Sequence, residues 1–346
     1  MFKRTAIYIT LATLLFTSCI GEEDYENSRQ GVFEALWETI DRRYCFFDVA
    51  ERRYGLDWNE VHERYSALVD TCTSDASLFD VLGDMLKELR DGHVNLSSMF
   101  GTSYYWDWHL KEPMNFSDSI QRNYLGTDFK LTNGIKYNIL PDSIGYVYVE
   151  SFSGGFNTNN LTLMLYNMRE CKAIILDIRN NGGGKITAAE KLASIFIKEQ
   201  IHYGYMQHKT GKGHNDLSTP RPLYLEPSEG ARWLRPVVVL TNRGVYSAAN
   251  HFVLIMRDLP HVAIVGDKTG GGSGMPLNST LPNGWRVRLS ACPTLDAKYS
   301  HTEFGIEPDI KVNITSEDWN KGRDTIIERA KELIFEYYSK KEEQEG

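Results

Sequence analysis

Residues 236–258 read PVVVLTNRGVYSAANHFVLIMRD, and the reading of this stretch decides the fold. Val237 to Leu240 form a continuous apolar run, as expected of a strand buried on both faces. Ala248 to Met256 read as a helix, and Ser247 stands at the corner between them. A buried strand that turns tightly into a helix is a unit of α/β architecture. A serine at such a corner has two readings. It caps the helix, which is the commoner use of the residue. Alternatively it is a nucleophile at a strand-to-helix elbow, although the GxSxG pattern is absent. There the helix dipole favours a developing alkoxide, and the N–H of Ala248 points into the same space as an oxyanion donor.

The alternation extends outward on both sides. GYVYVESF (145–152), AIILDI (173–178) and VAIVGD (262–267) read as strands. NLTLMLYNMREC (160–171) and AAEKLASIFIK (188–198) read as helices. NGWRVRLSAC (283–292) alternates on a period of two and reads as a sheet strand. Residues 205–232 read as a long surface loop, and residues 318–342 as a closing helix that ends in a charged tail. Before the α/β region, residues 31–96 read as a small bundle of three helices. One has Phe33, Leu36, Trp37 and Ile40 at helical spacing, and the next has Trp58, Val61, Tyr65 and Leu68. The third starts at Asp75 as its N-cap and leads into LRDGHVNL, 89–96. Residues 97–140 are aromatic and polar by turns and show little periodicity.

The chain has 346 residues, 42% hydrophobic and 24% charged, which is ample for a core without disulfide staples. Its formal net charge of -8 and the lack of a basic stripe argue against a nucleic-acid partner. Residues 1–18 have a basic start at Lys3 and Arg4, an apolar core and small residues before Cys19, the layout of a secretory signal. A cysteine in that place resembles the lipobox of bacterial lipoproteins, with Phe16 where Leu is more usual. The alternative is an ordinary signal with an incidental cysteine. Lipid on Cys19 would make the protein an exported, membrane-anchored one, with residues 19–30 as an acidic tether. Cys45 and Cys72 are the best candidates for a disulfide, and buried free thiols are the other reading. No cysteine or histidine spacing suggests a metal site.

Three further stretches carry candidate chemistry. ILDIRNNGGGK (175–185) runs from a strand into three glycines, which can turn backbone N–H groups toward one point. It reads as an oxyanion hole, a phosphate loop without Walker or GxGxxG spacing, or a plain turn. VGDKTGGGSG (265–274) is a second strand-to-glycine turn, and EFGIEPDI (303–310) closes the region.

In order and spacing these stretches resemble the catalytic domain of the tail-specific (C-terminal processing) serine proteases, a group that includes the tricorn protease core. The likeness covers residues 140–312 and, more weakly, the helical region. The family pattern D-x-R-x-N-x-G-G, S-A-x-E, G-x-x-T-x-G, G-I-x-P-D reads here DIRNNGGG, YSAAN, GDKTGGG and GIEPDI. The resemblance implies a spiral α/β domain related to crotonase and ClpP, spanning 97–336 behind the helical region. It implies Ser247 as nucleophile, with the oxyanion held by the N–H of Ala248 and one from Gly183 or Gly184. It also implies a polypeptide substrate and no cofactor. Many members use a lysine as base, but Gly272 stands in that position and Lys268 is poorly placed. The tricorn-like branch uses a histidine instead, which falls on His93, with a glutamate behind it, which falls on Glu303. Gly92 replaces the serine that accompanies that histidine, and Asn250 stands where Glu is frequent. His251 and His301 are rival bases and Glu307 a rival orienter. A PDZ domain is not expected in the short interval between His93 and Ile144. Substrate recognition would then fall to the core, through strand addition beside GYVYVESF. A surface binding protein on the same fold, with Ser247 as a mere cap, is the alternative function. An acyl-CoA enzyme suits an exported chain badly.

Overall fold

The computed structural model describes residues 25–345. The expected signal, residues 1–18, and Cys19 lie outside the described residues.

Four helices come first: α1 (Arg29–Arg43), α2 (Phe47–Tyr54), α3 (Trp58–Asp70) and α4 (Asp75–Lys87). Ser28 caps α1 and Asp57 caps α3 through bonds to first-turn N–H groups. The cap of α4 is Ser74, not Asp75, because Ser74 and Ser77 satisfy each other's backbone donors in a capping box. The sequence reading missed α2, a two-turn helix that ends at Gly55 with φ 70°. Next follow β1 (Asn95–Ser98), β2 (Gly101–Ser103), α5 (Asp107–Leu110), α6 (Asp118–Leu125), β3 (Lys130–Thr132) and β4 (Ile135–Leu140). These elements fill the interval between His93 and Ile144.

The α/β region comprises β5 (Ile144–Val149), α7 (Thr158–Asn167), β6 (Ala173–Asp177), α8 (Ile186–Ala193), β7 (Ile201–Met206), β8 (Arg221–Leu225), β9 (Val237–Thr241), α9 (Ala248–Met256) and β10 (Val262–Gly266). It continues through β11 (Gly274–Thr280), β12 (Arg286–Asp296), β13 (Ile310–Lys311), α10 (Ser316–Asn320) and α11 (Thr325–Glu345). The expected loop 205–232 therefore contains β8. The closing helix is broken at Gly322, where φ is 68°.

The central sheet has the order β13-β10-β9-β6-β5-β4-β3, parallel from β13 to β5 and antiparallel beyond. Every residue of β5, β6 and β9 is buried, as continuous apolar runs require. Val237 and Val239 pack with α7, α8 and α9 on one face, while Val238 and Leu240 pack with α11 on the other. Both edges of β5 are taken, by β4 and by β6. That overturns the expected strand addition beside GYVYVESF, because its backbone donors and acceptors are already paired.

The second sheet runs β2-β1-β12-β7-β8, with β11 also on β12. The four helices close over this sheet, sharing one core with Leu96, Val287 and Leu289. Cys45, Cys72, Cys171 and Cys292 are free thiols, so the paired reading of Cys45 and Cys72 does not hold. Among the described residues, no helix is long and apolar enough to cross a membrane.

Candidate active site

Strands β6, β9 and β10 are neighbours in the parallel sheet, and their C-terminal ends release the three motif loops side by side. That crevice is where open α/β sheets place their ligands. Backbone bonds lock the loops together. The N–H of Tyr246 donates to Asn181 O (3.0 Å), that of Ser247 to Gly271 O (2.8 Å), and that of Gly270 to Val245 O (2.8 Å).

Ser247 is held at φ 57° and ψ -122°, a region that a non-glycine residue enters at a cost of about 1–3 kcal/mol. Its hydroxyl makes no cap bond to α9. It lies 3.0 Å from Nε2 of His93, a residue 154 positions away in sequence. The cap reading of Ser247 therefore fails, and the strain holds the side chain toward the imidazole.

His93 follows α4 and enters β1, which pairs with β12, so the helical region delivers the histidine to the crevice. It is buried, and burial lowers its pKa to about 4, against the opposing pull of Asp91. Asp91 accepts the His93 N–H (2.7 Å) and the Ser290 hydroxyl (2.7 Å). Nδ1 of His93 has no hydrogen-bond partner among the described residues. The sequence reading did not single out Asp91, although a carboxylate two residues before a backbone N–H is a common local bond.

Glu303 is also buried in this region, but its bonds lead elsewhere. Its Oε2 accepts the N–H of Ser273 (2.6 Å), the N–H of Gly274 (3.1 Å) and the Ser273 hydroxyl (3.3 Å). No bond joins it to His93. Burial, and then the nearby Asp91, push its carboxyl well above the usual range.

Of the expected oxyanion donors, Ala248 N–H opens α9 and is free of an acceptor among the described residues. Gly183, at φ 98°, lies against Ser247 and Ala248 so closely that a Cβ there would meet Ala248 N at 2.8 Å. Its N–H donates to Asn181 Oδ1 (2.9 Å). A Cβ on Gly184 would instead meet the backbone of Phe152 and Ser153.

The rivals are placed away from the serine. His251 Nε2 faces Tyr203 Oη (3.2 Å) and Glu190 Oε1 (3.6 Å). The His301 ring packs on Phe46, and Glu307 pairs with Lys268 (2.9 Å). Asn250 bonds Thr269 Oγ1 (2.6 Å) and Thr302 O (3.2 Å), tying α9 to the glycine loop. The missing lysine has a steric explanation. A Cβ on Gly272 would clash with the ring of Tyr246, which packs against His93 with centroids 4.9 Å apart. Trp108 stacks on that ring at 4.7 Å. Gly92 is equally confined, since a Cβ there would lie 2.8 Å from Tyr246 Oη and 3.2 Å from Trp108 Nε1. Nothing in the sequence marks Tyr246 or Trp108 for this layer. A small pocket opens beside Ser247, with Ile186, Leu254, Met275 and Pro276 among its walls. Among the described residues, no group of three or more His, Cys, Asp or Glu side chains could hold a metal ion.

Comparison with known proteins bears on the family and the fold. Residues 143–312 match peptidase family S41, and residues 25–87 match the tricorn protease C1 domain. The crystal structure of a candidate peptidase from Parabacteroides merdae is 53% identical, with a TM-score of 0.85, covering 89% of this chain and 97% of that one. The chain belongs to peptidase family S41. Its membership bears out the serine-peptidase class expected from the motifs, and the C1 match extends the likeness to the helical region. The crystal structure of the CPAF S499A mutant shares the fold at 13% identity, with a TM-score of 0.72, covering 89% of this chain and 97% of that one. The carboxy-terminal processing protease CtpA of Bacillus subtilis is 25% identical over 183 residues, 51% of this chain and 37% of its own length. This chain spans 22% to 37% of the first curated relatives it matches.

Proposed function

We propose that the chain is a serine peptidase that cleaves polypeptides through an acyl-enzyme. The observation that carries the reading is the Ser247 hydroxyl, held on strained backbone 3.0 Å from His93 Nε2 instead of capping its helix. In the tautomer with its proton on Nδ1, neutral His93 accepts the serine proton as Oγ attacks the peptide carbonyl. It then returns that proton to the leaving amine. Water repeats the cycle on the acyl-enzyme, releasing the second product. Ala248 N–H holds the oxyanion, with Gly183 N–H shared between the oxyanion and Asn181 Oδ1. The apolar pocket beside Ser247 takes the side chain that precedes the scissile bond. Glu303 is the third member by resemblance, and in that part its carboxyl reaches Nδ1 of His93 once substrate is bound.

A fluorophosphonate probe on the purified chain tests the reading. Labelling of the parent protein, lost in Ser247→Ala, is the expected result. A parent protein that resists the probe while the fold is intact would refute an activated serine.

The N-terminal segment supports a proposal of location. The signal is cut before Cys19, which carries lipid and anchors an exported peptidase to a membrane. Mass spectrometry of the protein from a bacterial membrane fraction is expected to show an acylated N-terminal Cys19. An unmodified terminus elsewhere would refute it.

A further inference from the structure

A second pocket lies beside the catalytic pair, lined by Arg53, Arg90, Arg243, Trp108, Tyr246 and Glu303 among others. Its cavity volume is about 90 Å³, room for a small charged group. Two buried donors around it have neither a hydrogen-bond nor an ion-pair partner among the described residues: Trp108 Nε1 and Tyr246 Oη. Buried donors are rarely left unpaired, because each then bears the full desolvation penalty. Two at one pocket point to an acceptor that binds there.

The charges agree. Arg53 and Arg90 form no ion pair among the described residues. Their guanidinium groups rest on aromatic rings, Arg53 on Phe304 at 4.3 Å and Arg90 on Tyr54 at 4.5 Å. Stacking orients the planar fork and leaves its N–H edge free for a ligand. Arg243 is partly offset by Asp267 at 3.5 Å and Glu112 at 3.7 Å. The acidic groups facing the pocket are Glu303 in its wall and Asp91 behind it. Burial and Asp91 both raise the pKa of Glu303, against the N–H groups of Ser273 and Gly274, which favour its charged form. Arg53 and Arg90 are thus the unpaired cations of the pocket, in a chain whose net charge is -8. Aromatic walls and a nearby carboxyl favour a flat monoanion over a phosphate dianion.

We propose that this pocket binds a carboxylate, either a free small acid or an acidic group carried on a polypeptide. Tyr246, the residue before Ser247, and Gly92, the residue before His93, both line the pocket, so an occupant would brace the catalytic pair. The polypeptide source rests on the peptidase reading, and the free acid does not.

The test is equilibrium binding to the full chain carrying Ser247→Ala, followed by tryptophan fluorescence at constant ionic strength, with Trp108→Phe as the signal control. The probes are sodium acetate and three acetylated pentapeptides. One has an internal Glu and an amide terminus, one has Gln in its place, and one has Gln and a free carboxylate. We expect saturable binding of at least one carboxylate, weakened about tenfold or more in Arg53→Gln/Arg90→Gln, as loss of charge-assisted bonds requires. Acetate binding alone identifies a free acid. Glu-dependent binding identifies a side chain, and binding of only the free-acid peptide identifies a chain terminus. Absence of saturable binding, or binding unchanged in both the double variant and Arg90→Gln alone, overturns the proposal. Fluorophosphonate labelling of the parent chain reports separately on the nucleophile, so failure here with labelling intact leaves the peptidase reading standing.

Discussion

Replacing His93 by alanine is expected to abolish fluorophosphonate labelling of Ser247 and to lower peptide turnover on the order of 10⁵- to 10⁶-fold. The expectation follows from the absence of a substitute. The lysine position of the family is Gly272, and the ring of Tyr246 fills the space a side chain would need. His251 is turned toward Tyr203 and Glu190. The side chain of His93 makes one hydrogen bond, to Ser247, and packs on Tyr246, so circular dichroism of the variant checks that it is folded. Normal labelling in a folded His93→Ala protein would remove the histidine from the mechanism. The pH profile adds a second check. Only the neutral imidazole accepts a proton, and burial lowers the pKa of His93 to about 4. kcat/KM, which reports the free enzyme, should therefore hold from neutrality down to about pH 5 and fall with a midpoint near 4. If substrate brings Glu303 onto Nδ1, the midpoint of kcat rises toward the ordinary histidine value. Glu303→Gln should then bring it back.

The α/β region was legible because its strands are buried on both faces, so unbroken runs such as VVVL and AIILD announce themselves without a partner. The motif loops were legible for a related reason. Each is a short local pattern at the end of such a strand, and three adjacent strands bring them together. What the sequence could not show depends on closure in space. Helix α2 has too few apolar positions over two turns to stand out, and its burial comes from packing Phe47 and Ala50. The pairing of β5 on both edges is a property of sheet order, which strand texture does not encode. Gly272 reports that a lysine is missing, but the aromatic ring in its place belongs to a residue 26 positions earlier. The destination of the Glu303 carboxyl is likewise decided by the Ser273–Gly274 turn, whose N–H groups reach it first.

Arg179→Met is expected to destabilise the fold by about 3–5 kcal/mol, a large part of the roughly 5–15 kcal/mol that holds a domain together. The DIR motif that leads into the glycine loop is a buried ion network. Arg179 and both carboxylates around it are fully buried. Its Nη2 and Nε donate to Asp177 (2.6 and 2.9 Å), and its Nη1 donates to Asp324 (2.8 Å) and to Asn115 O (3.1 Å). Asp324 in turn accepts the N–H groups of Ile326 and Ile327 at the start of α11. Tyr146 Oη donates to Asp177 (2.7 Å) from the neighbouring strand β5. One side chain therefore joins the end of β6, the segment before α6 and the last helix. Removing it leaves two carboxylates in the core without their cation, and the desolvation cost of both falls on the native state. The sign of the pH dependence follows. Burial raises the Asp324 carboxyl and Arg179 opposes that rise, so without the arginine its penalty is full at neutral pH and fades as pH falls through its folded pKa. The gap between parent and variant in urea midpoint should accordingly narrow from pH 7 toward pH 4. A deficit under about 1 kcal/mol, the scale of an exposed pair, would show that the network is replaceable. So would a gap that stays constant with pH. With Arg179 lost, labelling of Ser247 should fall in step with the folded fraction, because the same loop carries Asn181 and Gly183 to the serine.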